Sequence, residues 1–110
     1  MLTFILKKEW YEKIKSGKKT VEYREVKPYW TNRLNKVFSF VSGNPFSDMS
    51  IGEYIQCSLC QVWCELRLGY TKKYLTANIT MIKIVDGKNT DLHIDKPVYA
   101  IYLRKVEEAA

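Results

Sequence analysis

Apolar and polar positions change period several times along these 110 residues, and each change marks an element. Leu2 to Leu6 is a short apolar run, the pattern of a buried strand. Lys8 to Ser16 (KEWYEKIKS) switches to helical spacing, with Trp10 and Ile14 one turn apart and Tyr11 beside them in a narrow apolar stripe. Lys8/Glu12 and Glu9/Lys13 place opposite charges at the same spacing. Gly17 stands where a left-handed residue ends a helix, with Lys13 and Lys15 near the negative helix end. From Lys19 to Val26 the period drops to two. Val21 and Tyr23 then share one face of a strand, and Thr20, Glu22 and Arg24 share the other.

Pro28 ends that strand, and PYWTNRL predicts a turn of helix carrying Trp30 and Leu34 inward. Val37 to Val41 reads as a further strand, and SGNPFSDMSIGE as loop. Tyr54 to Leu68 predicts one or two strands, with a turn at Gly69-Tyr70. YLTANITMIKIV, Tyr74 to Val85, alternates most clearly; Asp86-Gly87 is a turn and VYAIYL, Val98 to Leu103, a closing strand. Five or six strands with an early helix predict a compact α+β domain, a small mixed β-barrel with one or two flanking helices and few open edges. One domain is expected over 1–106, with 107–110 as a flexible C-terminal tail.

The composition, 46% apolar and 27% charged, is ordinary for a soluble globular protein. No apolar run approaches the roughly 20 residues that span a bilayer, and the N-terminus has no signal-peptide core, so a cytoplasmic protein with no membrane partner is expected. The net charge of +6 is unevenly spread. Residues 1–36 hold ten Lys and Arg against four Glu, whereas the rest of the chain is balanced. Folded onto one side, that first third makes a positive patch suited to phosphate-bearing partners; the alternative is a lysine-rich surface that serves solubility.

Cys57, Cys60 and Cys64 lie close together in CSLCQVWC. An odd count argues against a disulfide framework. A C-x2-C pair can open a zinc site, but a structural zinc takes four ligands and the single histidine, His93, is distant in sequence. The expectation is three small buried thiols in or beside a strand, with no metal and no cofactor.

The segment GKKTVEYREVKPYW concentrates basic and aromatic residues beyond what packing requires. If the Thr20/Glu22/Arg24 face lines a cleft, Arg24 can grip a phosphate or carboxylate through two N–H bonds, Glu22 can accept from a base amino group, and Thr20 can donate or accept. If that face meets water, the three are ordinary strand-surface residues. Lys19 has two readings as well: buried beside other cations it can act as a base, and solvated it can hold phosphate. Tyr29 and Trp30 either seal the core edge or offer a ring to an unstacked base, with Arg33 and Lys36 on backbone phosphate. Gly69-Tyr70-Thr71-Lys72-Lys73 repeats the combination of a turn, a ring, a hydroxyl and two ammonium groups. Together these loops point to single-stranded RNA or a nucleotide.

LKKEWYEKIKSGKKTVEYREVKPYW, with its G-x-K-x-x-E-x-R core at Gly17, Lys19, Glu22 and Arg24, resembles an ASCH domain of the PUA-like superfamily. CELRLGYTKK with the strand after it, and VYAIYLRKV, are similar to that family's G-Y hairpin, next strand and closing strand. The likeness covers about 2–34 and 64–105; 37–60 has no counterpart. It implies a β-barrel with flanking helices, and a cleft formed by the motif strand and the helix before it. It also implies RNA binding, or a pocket for a single, sometimes modified, base. One ASCH branch hydrolyses N(4)-acetylcytidine with a lysine that matches Lys19, a threonine at the place of Glu22, and a glutamate from a helical segment between the last two strands. This chain has Glu22 at the second position, and its 86–97 segment holds Asp86, Asp91 and Asp95 but no Glu. Ribonuclease activity is also attributed to the family, but this chain lacks a histidine pair for it.

The leading expectation is therefore an RNA- or nucleotide-binding domain that takes a base plus phosphate in a basic cleft. Lys19, Thr20, Glu22 and Arg24 would line it, with Tyr29, Trp30, Arg33, Tyr70 and Lys72 at the rim. The alternative is a small hydrolase acting on a modified nucleoside, with Lys19 as base and Glu22 orienting or activating water. A protein-interaction module ranks third, because the chain shows no heptad or long apolar groove.

Overall fold

A computed structural model describes residues 1–57 and 62–109. In chain order the elements are β1 (Leu2–Leu6), α1 (Lys8–Lys15), β2 (Val21–Glu25), α2 (Pro28–Val37), β3 (Tyr54–Gln56), β4 (Val62–Leu68), β5 (Tyr74–Asp86), a short 3-10 turn (Gly87–Asn89) and β6 (Pro97–Glu108). The strands form one mixed sheet in the order β1-β4-β5-β6-β2, with β3 paired to β5 off that path. β1 runs parallel to β4, and every other pairing is antiparallel. The expected small mixed barrel with two flanking helices is thus the observed architecture, curled into a half-barrel whose edge strands are β1 and β2.

Alternation fills the interior. Leu2, Phe4 and Leu6 of β1, Cys64 and Leu66 of β4, Leu75, Ile82 and Ile84 of β5, and Tyr99 and Ile101 of β6 are all buried. β5 is long enough to pair with β4 through its first half and with β3 through its second, while β6 runs along its other side. Register shifts between Thr76 and Asn78 and between Ile79 and Met81 are the irregularities that let so long a strand curl. α1 closes one end with Tyr11 and Ile14 buried. It ends as its sequence requires: Gly17 has φ +82, a conformation that a side chain disfavours. The two expected Lys/Glu pairs of α1 do not close; the Lys13 ammonium lies 4.8 Å from the Trp10 ring centre instead.

One expected strand is absent. Val37 to Val41 is the last residue of α2, its C-cap Phe38 and the turns that follow. Trp30, Leu34 and Phe38 recur every fourth residue and all three are buried, so helical spacing wins over the short β-like run. The Asn35 side chain accepts from the Phe46 backbone N–H at 2.9 Å and holds the next loop against the helix. At the other end, β6 outlasts its predicted limit. Glu107 and Glu108, expected in the tail, pair with Thr76 and Leu75.

Cys57 and Cys64 are buried as expected; Cys60 lies outside the described residues. Burial, with the nearby charges of Glu22 and Glu65, pushes the Cys64 thiol up to about 12. No described helix is long and apolar enough to cross a membrane.

Two outcomes follow from this packing. Phe38→Ala should cost about 3–5 kcal/mol in urea unfolding, whereas Phe40→Ala, at a ring more than half exposed, should cost under about 1 kcal/mol. In native protein at pH 9, iodoacetamide should leave the Cys64 peptide unlabelled by mass spectrometry, because its thiolate is scarcer than that of an ordinary cysteine by about a thousandfold. The same peptide should label in urea.

Candidate functional site

The half-barrel is left open between β1 and β2, and that opening is a cavity of about 540 Å³. The end of β1, the first turn of α1, β2, the start of α2 and residues 91–94 surround it. Its size is that of a small-molecule pocket.

Three residues of the motif meet there. Glu22 is buried, with only 6% of its side chain exposed. Its Oε1 lies 3.2 Å from the Lys19 ammonium and accepts from the Tyr23 backbone N–H at 3.1 Å. Its Oε2 accepts from the Arg24 guanidinium at 2.9 Å. The face that alternation assigned to Thr20, Glu22 and Arg24 therefore turns toward the hollow at positions 22 and 24. Burying a carboxylate without partners would be costly, and here two cations and an amide supply them.

Arg24 also ties the two sheet edges together. Its guanidinium donates to the Ile5 carbonyl at 3.0 Å, across the gap between β2 and β1. It lies 5.3 Å and 5.1 Å from the ring centres of Phe4 and Trp30, which stack on each other with centroids 5.1 Å apart. Trp30 is buried and lines the cavity as floor rather than rim.

Lys19 is set by the chain reversal after α1, where its backbone N–H bonds to the Lys13 carbonyl. Its ammonium stands 2.6 Å from Asp91 Oδ2 and 4.4 Å from the Trp10 ring centre, with only 10% of the side chain exposed. The neighbours that the base reading required were other cations; the neighbours found are two carboxylates. Tyr23 also borders the cavity. Burial, and then the Asp91 charge, raises its phenol above the usual value.

Asp91 belongs to the segment joining β5 to β6, and its arrival has a local cause. Gly87 and Ile94 are drawn together by backbone bonds from Gly87 N–H to the Lys96 carbonyl and from Ile94 N–H to the Gly87 carbonyl. A Cβ at Gly87 would sit 2.6 Å from the Ile94 carbonyl oxygen, so only glycine allows that approach. The Thr90 hydroxyl bonds back to the Gly87 carbonyl at 2.9 Å, and His93 takes a left-handed φ of 47. The tight fold presents Asp91, Leu92 and Ile94 to the cavity.

Other expected residues lie elsewhere. Thr20 is exposed and lines a smaller adjoining hollow, of about 290 Å³, that shares Lys19, Tyr23 and Asp91 with the cavity. Tyr29 and Arg33 line a separate hollow along α2. Tyr70, 96% exposed, and Lys72 sit on the β4–β5 hairpin and do not line the cavity. That hairpin is anchored by its Gly69 N–H on the Leu6 carbonyl. The expectation of a basic cleft is also corrected. The cavity lining carries Lys7, Lys19, Arg24 and Lys27 against Glu9, Glu22, Glu25 and Asp91, a balanced set. The surplus positive charge lies outside it.

Sequence reasoning missed Asp91, Trp10 and the Ile5 carbonyl. Trp10 stands on the helix leading into the motif, a position that the resemblance already made part of the cleft. Nothing local distinguishes Asp91 from Asp86 or Asp95. Among the described residues, no group of three or more His, Cys, Asp and Glu is placed to hold a metal ion.

Glu22→Ala would leave Lys19 and Arg24 without their shared partner, and should lower the unfolding free energy by about 3 kcal/mol in urea titration. A cost under about 1 kcal/mol would mean that water replaces the carboxylate freely.

Comparison with protein-family models finds none that matches this chain, and searches of curated proteins and of solved structures return no significant match.

Proposed function

We propose that the cavity binds a single nucleobase of an RNA strand or nucleotide. The observation that carries this reading is the buried Glu22 carboxylate, held between Lys19 and Arg24 at the wall of a base-sized hollow. A base edge presents hydrogen-bond donors and acceptors side by side. Glu22 and Asp91 can accept from ring N–H or amino groups, and Lys19 and Arg24 can donate to carbonyl or ring nitrogen acceptors. Trp10 and Trp30 supply apolar ring surface at two sides. The balanced lining suits a neutral polar ring, so the phosphate belongs at the mouth, near Lys7 and Lys27.

Titration of short single-stranded RNAs and mononucleotides across a salt series tests this. We expect binding that weakens at least tenfold in the Lys19→Ala/Arg24→Ala double variant, and a changed base preference in Glu22→Gln, since a charge-assisted hydrogen bond is worth about 1.5–3 kcal/mol. No binding at low salt, or the same affinity in the folded double variant, overturns the reading.

A second reading, a hydrolase acting on a modified nucleoside, is favoured by one observation: Asp91 reaches Lys19 from the segment between β5 and β6. The resemblance puts an acidic catalytic residue on that segment. Asp91 or Glu22 would then accept the proton of an attacking water, and the Lys19 ammonium between them would steady the oxyanion that forms. Incubation with acylated nucleosides, followed by chromatography, should yield product in the wild type and none in Lys19→Ala or Asp91→Asn. Equal product in all three would remove it.

A further inference from the structure

The cavity leaves the surplus charge of the first third of the chain unused. Adjoining it across Ile5 is a second hollow of about 880 Å³, between β1 and α2. The two are also joined through α2: Trp30 lines the first, Tyr29 lines the second, and their rings meet at 5.0 Å in an edge contact.

The second hollow differs from the first in its charge. Arg33 and Lys36 line it, and among the described residues no acidic side chain does. Neither cation forms an ion pair among the described residues, whereas Lys19 and Arg24 are both paired. Tyr29, Asn32, Arg33 and Lys36 recur at three- and four-residue intervals, so α2 presents them on one exposed face. The Arg33 guanidinium lies 3.7 Å from the Tyr29 ring centre. That stack orients the guanidinium while leaving its N–H edges open to an oxyanion. Asn32 adds a neutral donor and acceptor.

We propose that this second hollow holds the phosphodiester backbone of a single-stranded nucleic acid whose base occupies the first cavity. The inference rests on the base-binding reading and extends it from a nucleotide to a strand. A balanced cavity takes the uncharged base, and the acid-free hollow beside it takes the phosphates that follow. A single strand fits because its base enters the cavity without first leaving a duplex. The free edge of β1 would also admit an extended peptide, but two unpaired cations in a lining without acidic side chains favour a polyanion, the neighbouring Glu65 being paired already with Arg67.

The test compares an end-labelled pentaribonucleotide, the same sequence as DNA, its duplex, and a mononucleotide, by fluorescence anisotropy across a salt series. The proteins are the wild type and Arg33→Ala/Lys36→Ala, two exposed positions whose loss should leave the circular dichroism spectrum unchanged. We expect the pentamer to bind the wild type at least tenfold more tightly than the mononucleotide does. The double variant should lose most of that gain, and the slope of log affinity against log salt should become shallower by about 1.4, for two phosphate contacts on a single strand. Mononucleotide affinity should change less than twofold. An unchanged pentamer affinity or salt slope in the double variant overturns the inference while leaving the base-binding reading standing. Preference for the duplex, or displacement of the pentamer by an acidic peptide at equal charge concentration, overturns it too. If neither pentamer nor mononucleotide binds the wild type, the base-binding reading falls and takes this inference with it. RNA and DNA binding alike would support it, and their ratio reads whether the 2′-hydroxyl is sensed.

Discussion

A carboxylate withdrawn from water sets the terms for everything around it. Glu22 is the most deeply buried charged group of β2, and both of its oxygens have partners: Oε1 has Lys19 and the Tyr23 amide, and Oε2 has Arg24 with room for one further donor. A buried charge is tolerated only when it is paired and hydrogen-bonded, so these partners cannot wander far. Lys19 is thereby held in the cavity wall, where it also meets Asp91. Arg24 is held over the Phe4–Trp30 stack, where it reaches the Ile5 carbonyl. One strand's polar face thus joins both edges of an unclosed sheet.

The opening between those edges is where chemistry has room. Strands that paired fully would have filled the gap with backbone hydrogen bonds and left no cavity. Here a guanidinium bridges the edges instead, and its side chain leaves space beside it. The helices line that space from either side: α1 contributes Trp10 from its first turn, and α2 contributes Trp30. The loop between β5 and β6 completes the wall because Gly87 permits a backbone approach that any other residue would block.

Charge is partitioned between the cavity and the surface beside it. Carboxylates match cations inside, and unmatched cations line the face of α2. Coulomb attraction for an anion is therefore weaker in the charge-matched cavity than in the acid-free hollow beside it. In this reading, the pocket supplies selectivity through hydrogen bonds and the groove supplies affinity through phosphate.

Much of this was legible in the chain. The helix after β1, its glycine stop and the alternating strand that follows are local patterns, and Glu22 and Arg24 came together as that alternation implied, though without Thr20; Lys19 joins them through the chain reversal after α1. Trp30 was correctly placed inward, though as floor. Tyr29 and Arg33 were expected at the rim of the same cleft, but they border a different hollow. Tyr70 and Lys72 resembled site residues in composition, yet neither lines the cavity.

What the sequence determined by itself was everything with a short period: which residues alternate, where a helix must stop, and that a third of the chain carries all the excess charge. Only tertiary structure decided that the sheet stays open between its first two strands, that Asp91 and not Asp86 or Asp95 meets Lys19, and that the cavity is neutral while its neighbour is basic. The reason is physical. Periodicity records which side of an element faces inward, but the contacts that close a site join residues as far apart as 19 and 91. Such contacts depend on strand order and on how closely Ile94 approaches Gly87; the Asp86-Gly87 turn was legible in the chain, but neither the order nor that approach was.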